Sequence, residues 1–593
     1  MKNKPENKQL HTITFFELLF LTWPGFILLS ILTAIGGIFY QQISWAYLLS
    51  VIGGVVFLQK KHKLKIKPPT LSEKITLLII SLWIVILSYF TVPTIFGGRD
   101  EGSLSTAGFL INREHKLSYH NKLISTFATV EGKALNFPGF FYKKTPQGLE
   151  LRSQFLPGYS SYLATFANDK NVNALKWANA IPLLIFLLAF YSLVKQITSS
   201  EKFSLIALLG LMSLTPLVLF YKFTLSEIFF ASLIWSSLYF LYRYLHLPKK
   251  SRNIIDFWFI FLPLLPAIFV RIESLALAFV LILILIVKTD KELHLPKFQT
   301  PILLLILFSV LSLVLFSDFY IATIKGFAES LIHISTDTGE KNAITSSLIP
   351  KMWRDFYIVR IFYIYNLLPL LVFAGVALIK LLKNKSWSAL LPFFYLGITG
   401  IYLIDANISL DHPWMLRRFV FSILPLLVLY TVLFFYYYPL QRKTIGNLIL
   451  FIILASNFLL ASPFILMKQN DGLLSETASL ATNFQDNDLI LVSQQSSGSG
   501  WSLVSEPLRT VFHKQAIYFF NPNDYVKINP TDWDNIYLLV SDNEIEHYSA
   551  LLSPKTPAQP YQIQNKLLLP SKNPSRLPSY SQIITKGFIC KLK

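Results

Sequence analysis

The chain has 593 residues, 53% of them hydrophobic and only 15% charged, and a formal net charge of +20. That composition excludes a soluble globular domain and a disordered chain, because apolar runs long enough to cross a bilayer recur along most of its length. It also excludes a nucleic-acid-binding face: from Lys468 onward 11 basic residues balance 11 acidic ones, and the excess, 42 against 22, lies among the apolar runs, as cytoplasmic loops require.

The basic start, Met1-Lys2-Asn3-Lys4, precedes an apolar run that continues past Ile38. This is too long for the core of a signal peptide and reads as a retained first helix. Thirteen membrane spans are expected, at 16–39, 43–58, 74–96, 178–197, 203–221, 226–245, 254–270, 272–289, 300–317, 361–382, 388–405, 415–438 and 445–467. The short basic loops Lys60–Lys67, Arg243–Arg252, Lys380–Lys385 and Arg442-Lys443 go to the cytoplasm, which puts the N-terminus inside and the C-terminus outside. The loop 97–177 is then external despite its basic residues, since long loops escape the charge rule.

Two stretches must fold back on themselves. As one helix, the 36 residues 254–289 would reach about 54 Å against a hydrocarbon core of about 30 Å. A hairpin brings Arg271 and Glu273 to its outer turn. The stretch 203–245 does the same with Lys222 and Glu227. A third outer turn runs from Asp405 to Arg418 through Asp411 and His412. Within the loop 97–177, Glu101–Arg113 reads as a short helix opened by Asp100 as N-cap. Leu156–Ala167, beginning Leu156-Pro157-Gly158-Tyr159, is too short to span and is expected along the membrane surface.

Beyond 467 the composition changes. Leu489–Ser493 and Asn535–Val540 read as buried strands, and residues 468–593 as a small extracytoplasmic α/β domain. Residues 1–467 form the membrane domain. The fold class is therefore all-α polytopic, about thirteen transmembrane helices, with that α/β appendage. The one cysteine, Cys590, leaves no room for an intramolecular disulfide or a cysteine-rich metal site.

The chemistry-bearing residues gather on one face. Gly98-Arg99-Asp100-Glu101-Gly102 sets two carboxylates at the mouth of a span, and Glu227, Arg271, Glu273, Arg417 and Arg418 are sent to the same side. A carboxylate there can take a proton from an incoming hydroxyl, and arginine forks suit a phosphate. Each residue also has a plainer reading. Asp100 and Glu227 open helices, Arg271 pairs with Glu273 across a turn, and Arg417 or Arg418 anchors to lipid headgroups, as does Arg99. His115, His120 and His412 read as solvated loop residues, Tyr436-Tyr437-Tyr438 as an interfacial belt, and Glu17 as a snorkelling or paired group.

The order and spacing of Gly98–Gly102, Leu156-Pro157-Gly158-Tyr159, Thr224-Leu225-Ser226-Glu227, Val270-Arg271-Ile272-Glu273 and Arg417-Arg418-Phe419 with Pro425 resemble the polytopic glycosyltransferases of the C superfold, over roughly residues 74–440. The protein O-mannosyltransferases and lipid A aminoarabinose transferases are the nearest in pattern. The resemblance implies a multi-pass enzyme of the bacterial cytoplasmic membrane. It would move a sugar from a polyprenyl-phosphate donor, with inversion, to a lipid, protein or glycan acceptor at the outer face. It makes Asp100 the general base, with Glu101 and Glu227 as further acidic catalytic positions, and Arg271, Arg417 and Arg418 the donor phosphate clamp. It leaves a divalent metal ion open: some relatives use one, and Glu114, His115, His120 and His412 are too scattered in sequence to form a ligand set. The alternative from another class is a polysaccharide polymerase or ligase, or a flippase-like transporter. A transporter calls for charges near mid-membrane and repeated halves, and neither is visible.

Overall fold

The computed structural model describes residues 12–37, 65–95, 100–128, 130–146, 148–293, 296–336, 353, 356–406, 409–438, 443–497, 502–552 and 557–592. Six helices among them are long and apolar enough to cross a membrane: Phe15–Gly36, Leu71–Tyr89, Val172–Thr198, Ser226–His246, Phe298–Leu315 and Thr444–Leu466. Three bent pairs raise the number to nine if each is one span. They are Glu201–Met212 with Thr215–Tyr221 at 65°, Tyr357–Ile364 with Leu368–Lys383 at 110°, and Trp414–Val420 with Ile423–Tyr437 at 58°. Ile254–Ala267 and Trp387–Leu403 are shorter apolar pieces. The span expected at 43–58 lies outside the described residues, so the count of thirteen is not reached.

Proline explains several of the breaks. Pro216 and Pro369 sit in the first turn of the second helix of their pairs, where a missing N–H costs nothing, and Pro263 and Pro266 interrupt the run after Ile254–Phe261. One helix was not expected at all: Ser317–Thr336 follows directly on Pro296–Leu315. Asp318, Lys325 and Glu329 break its apolar pattern, so it reads as loop in the sequence.

The bundle is held by aromatic packing around Pro157–Leu163. All seven residues of this helix are buried, so it is an internal element and not a surface one. Tyr162 lies between Trp23 and Phe229, at ring distances of 5.3 and 4.9 Å, and Trp23 donates its indole N–H to Ser232 at 2.8 Å. At the other end of the helices, Glu17 closes a capping box with Thr14 and also accepts from Tyr239 at 2.6 Å and Arg243 at 2.5 Å. It is paired, as one of its two readings required.

Besides a two-stranded parallel pair, Thr12–Thr14 with Lys65–Lys67, the described residues form two larger sheets. The loop between Tyr89 and Val172 carries an unexpected four-stranded antiparallel sheet in the order Ser118–Tyr119, Gly148–Ser153, Phe140–Thr145, Gly132–Lys133. The C-terminal sheet has five strands. Leu489–Val492 lies parallel between Gln515–Tyr518 and Ile536–Ser541, and the antiparallel hairpin Ala558–Leu569/Ser579–Lys591 extends the second edge. This is the α/β arrangement read from the sequence.

The C-terminal hairpin reaches back to the helices. His412 and Ser571 exchange backbone hydrogen bonds at 2.8 and 2.9 Å, and His412 Nε2 meets the Asn573 carbonyl at 2.9 Å. His412 is therefore fully buried, not solvated, and burial pulls its imidazole below the ordinary histidine range. His115 and His120 do remain partly or fully exposed.

Candidate active site

Asp100 is the first described residue of the helix Asp100–Glu114, inside it and not a flanking cap. Gly98 and Arg99 lie outside the described residues. Helix Asp100–Glu114 is fastened to the turn before Glu227 by Thr224, whose hydroxyl donates to the Glu101 carbonyl at 2.8 Å and meets Ser105 Oγ at 2.7 Å. The same turn is held from a second side. Asn179 donates to the carbonyls of Tyr221 at 2.9 Å and Phe223 at 2.6 Å, and accepts from Tyr159 at 2.8 Å. The Tyr159 of the Pro-Gly-Tyr motif thus positions the segment that delivers Glu227.

Gly158 of that motif places Arg271. Its N–H donates to the Phe269 carbonyl at 2.7 Å, and a Cβ at this position would come within 2.6 Å of that oxygen and 2.7 Å of Val270. Only glycine allows so close an approach. Gly158→Ala is expected to push residues 269–271 outward and to cut activity by about tenfold or more, since sub-ångström misplacement is enough for such losses. Activity measured beside the melting temperature checks this.

Arg417 and Arg418 begin the short helix Arg417–Val420. The kink that follows frees the Phe421 carbonyl, which accepts the indole N–H of buried Trp235 at 2.8 Å. This fixes where the two arginines point.

Asp100, Glu227, Arg271, Glu273, Arg417 and Arg418 all border one cavity of about 700 Å³. Their charges interlock. Arg417 donates to Asp100, and its Nε lies 3.6 Å from Glu227 Oε1. Arg271 reaches Glu227 at 2.8 Å, Ser226 at 3.2 Å and Glu273 through Nε and Nη2, the latter at 2.6 Å. Tyr402 donates to Glu273 Oε1 at 2.6 Å, and Arg418 stands 3.6 Å from the same oxygen. The Arg271 guanidinium also lies over Phe421 at 5.3 Å.

These pairs differ in what they leave open. Glu227, Arg271 and Glu273 are at most 8% exposed, whereas the Asp100 side chain is 30% and Arg418 19% exposed. Among the described residues, Arg417 Nε, Arg418 Nε and Glu227 Oε2 are buried without a hydrogen-bond partner. On one side the wall is apolar: Ile324, Ile398 and Ile401 border the cavity and are themselves 40–59% exposed.

Glu101 stands apart. It is buried, does not border the cavity, and meets the site through its backbone. Sequence reasoning missed Tyr402, which nothing in its apolar surroundings signals, and undervalued Glu273, whose two-residue spacing from Arg271 was the available clue. No group of three or more His, Cys, Asp or Glu side chains is arranged for a metal among the described residues.

No protein-family model matches the chain, and no curated protein does. Among solved structures it is similar to the oligosaccharyltransferase of Archaeoglobus fulgidus in complex with Zn and sulfate, with 13% identity, TM-score 0.46, over 80% of this chain and 69% of that one. It is also similar to ArnT from Cupriavidus metallidurans, bound to undecaprenyl phosphate (12% identity, TM-score 0.38, 86% and 97% of the two chains) and in the apo state (10%, 0.38, 87% and 98%). These are general likenesses, and the functional reading rests on the chain's own residues.

Proposed function

We propose that the chain is a membrane glycosyltransferase that moves a sugar from a polyprenyl-phosphate donor to a hydroxyl-bearing acceptor at the outer face of a bacterial cytoplasmic membrane. The observation that carries this reading is the convergence of Asp100 with Arg271, Arg417 and Arg418 in one cavity that exposed apolar side chains also border. A polyprenyl chain enters through Ile324, Ile398 and Ile401, and its phosphate meets Arg418, which is 19% exposed and whose nearest carboxylate, Glu273, stands 3.6 Å away. Arg271 spends its donors on Glu227, Ser226 and Glu273 and acts as the brace of the clamp.

The step is a single displacement with inversion. Asp100, aimed by Arg417, accepts the proton of the acceptor hydroxyl. The acceptor oxygen forms a bond to the anomeric carbon as the bond from that carbon to the phosphate oxygen breaks. The departing phosphate takes the electron pair and is stabilised by Arg418 and Arg417. Residues 1–467 form the membrane part, with the N-terminus inside, and residues 468–593 an outer α/β domain.

The test is binding of undecaprenyl phosphate to the purified protein, by native mass spectrometry or fluorescence competition. Arg418→Gln is expected to weaken binding about tenfold or more, the value of a charge-assisted contact. A wild-type protein that ignores the lipid phosphate, or that transfers equally well from nucleotide sugars, overturns the reading.

A further inference from the structure

A second cavity, of about 300 Å³, adjoins the first. It lies between the hairpin Phe140–Thr145/Gly148–Ser153 and Phe316 with the first turn of the unexpected helix Ser317–Thr336. The two cavities share Phe141, Gln154, Phe155 and Phe319 as a common wall. A molecule in the second therefore touches side chains that also border the space around Asp100.

The chemistry of the second cavity differs from that of the first. Its cations are engaged unequally: Lys143 lies 2.5 Å from Asp318, and Arg152 donates through Nη2 to the Leu315 carbonyl at 2.8 Å while its guanidinium lies over the Phe316 ring at 5.0 Å. The Lys143–Asp318 pair is neutral as a unit and disfavours an anion, while the remaining N–H groups of Arg152 are donors for hydroxyls. An acyl chain is disfavoured by the charged rim of Glu131, Lys143 and Asp318. What remains is a ligand with apolar faces and many hydroxyls. Phe141, Tyr142, Phe155 and Phe319 give the cavity an aromatic lining suited to the C–H groups of such a molecule, and Gln154 with the rim groups offers donors and acceptors together.

The geometry points to a subsite for a neutral sugar ring of the acceptor, bound next to the unit whose hydroxyl reaches Asp100. This rests on the transferase reading above, and it narrows the acceptor to a glycan or a glycan-bearing molecule.

The test uses the full-length protein in detergent and saturation-transfer NMR with four probes: the methyl glycosides of glucose, galactose, mannose and N-acetylglucosamine. At least one is expected to receive saturation. Its affinity should fall about tenfold in Arg152→Gln, which removes a charged donor, and several-fold in Lys143→Ala at the exposed rim, with undecaprenyl phosphate binding unchanged in both. Arg418→Gln should give the opposite pattern. The subsite is overturned if no glycoside receives saturation, if both loop variants bind glycoside as wild type does, or if sugar phosphates bind more tightly than the neutral glycosides. Failure of glycoside binding alongside Arg418-dependent lipid phosphate binding removes the subsite alone. Glycoside binding without any lipid phosphate binding removes the donor reading and leaves the pocket.

Discussion

Asp100→Asn is expected to lower sugar transfer by about 10²–10⁴-fold, the usual worth of a positioned general base. The change is nearly isosteric, and the amide oxygen can still accept from Arg417. The cavity should therefore keep its shape. Arg417 loses one counter-charge but retains Glu227 at 3.6 Å, and the Asp100 side chain is 30% exposed, so the melting temperature should hardly move. Binding of undecaprenyl phosphate should persist, because Asp100 acts on the acceptor side. The informative result is thus a split: donor lipid bound, product absent. Full transfer activity in Asp100→Asn membranes supplied with the correct donor would remove Asp100 from the chemistry. A loss of donor binding equal to the loss of turnover would make it a structural partner of Arg417 instead. Glu101→Gln is a useful companion, since the Glu101 carbonyl accepts from Thr224 and its side chain does not border the cavity.

The sequence carried much of this site because membranes make charge conspicuous. Glu227, Arg271 and Arg418 stand out within apolar runs, and their cost at mid-bilayer forces them to helix ends. Spacing between spans then put them on one face, and the structure gathers them around one cavity. What was not legible is what depends on contacts between distant elements. Tyr402 is one aromatic residue among many until its hydroxyl is seen on Glu273. Gly158 looks like part of a turn motif until the Phe269 carbonyl is found against it. Helix Ser317–Thr336 was hidden by its own amphipathicity: its Asp and Lys residues break the apolar run that marks a span, and its role is to wall a cavity. The short helix Pro157–Leu163 misled in the opposite sense. Its length excluded a span, but length alone could not separate a surface helix from one buried beneath a loop.

The larger stability effect belongs to Arg271. Its guanidinium is 6% exposed and serves two carboxylates, Glu227 at 2% and Glu273 at 8%. Arg271→Gln leaves both acids buried with their main partner gone, a situation that typically costs about 3–5 kcal/mol. Arg417 and Arg418, each 3.6 Å from one of these acids, keep a charge attraction to them but not the hydrogen bonds that Arg271 supplies. The variant should unfold well below wild type in detergent and lose transfer activity, and low activity alone would not tell a brace from a phosphate ligand. The double variant Arg271→Gln/Glu273→Gln separates them. If Arg271 is a brace, removing Glu273's charge with it should restore much of the lost stability, leaving a coupling of about 1–3 kcal/mol between the two positions. Undecaprenyl phosphate binding should return with the fold, because Arg418 remains and is relieved of its own pull toward Glu273. A double variant that melts like wild type yet still fails to bind the lipid phosphate would make Arg271 a direct ligand. Arg271→Gln melting unchanged from wild type would mean that the buried network does not hold this face of the bundle together.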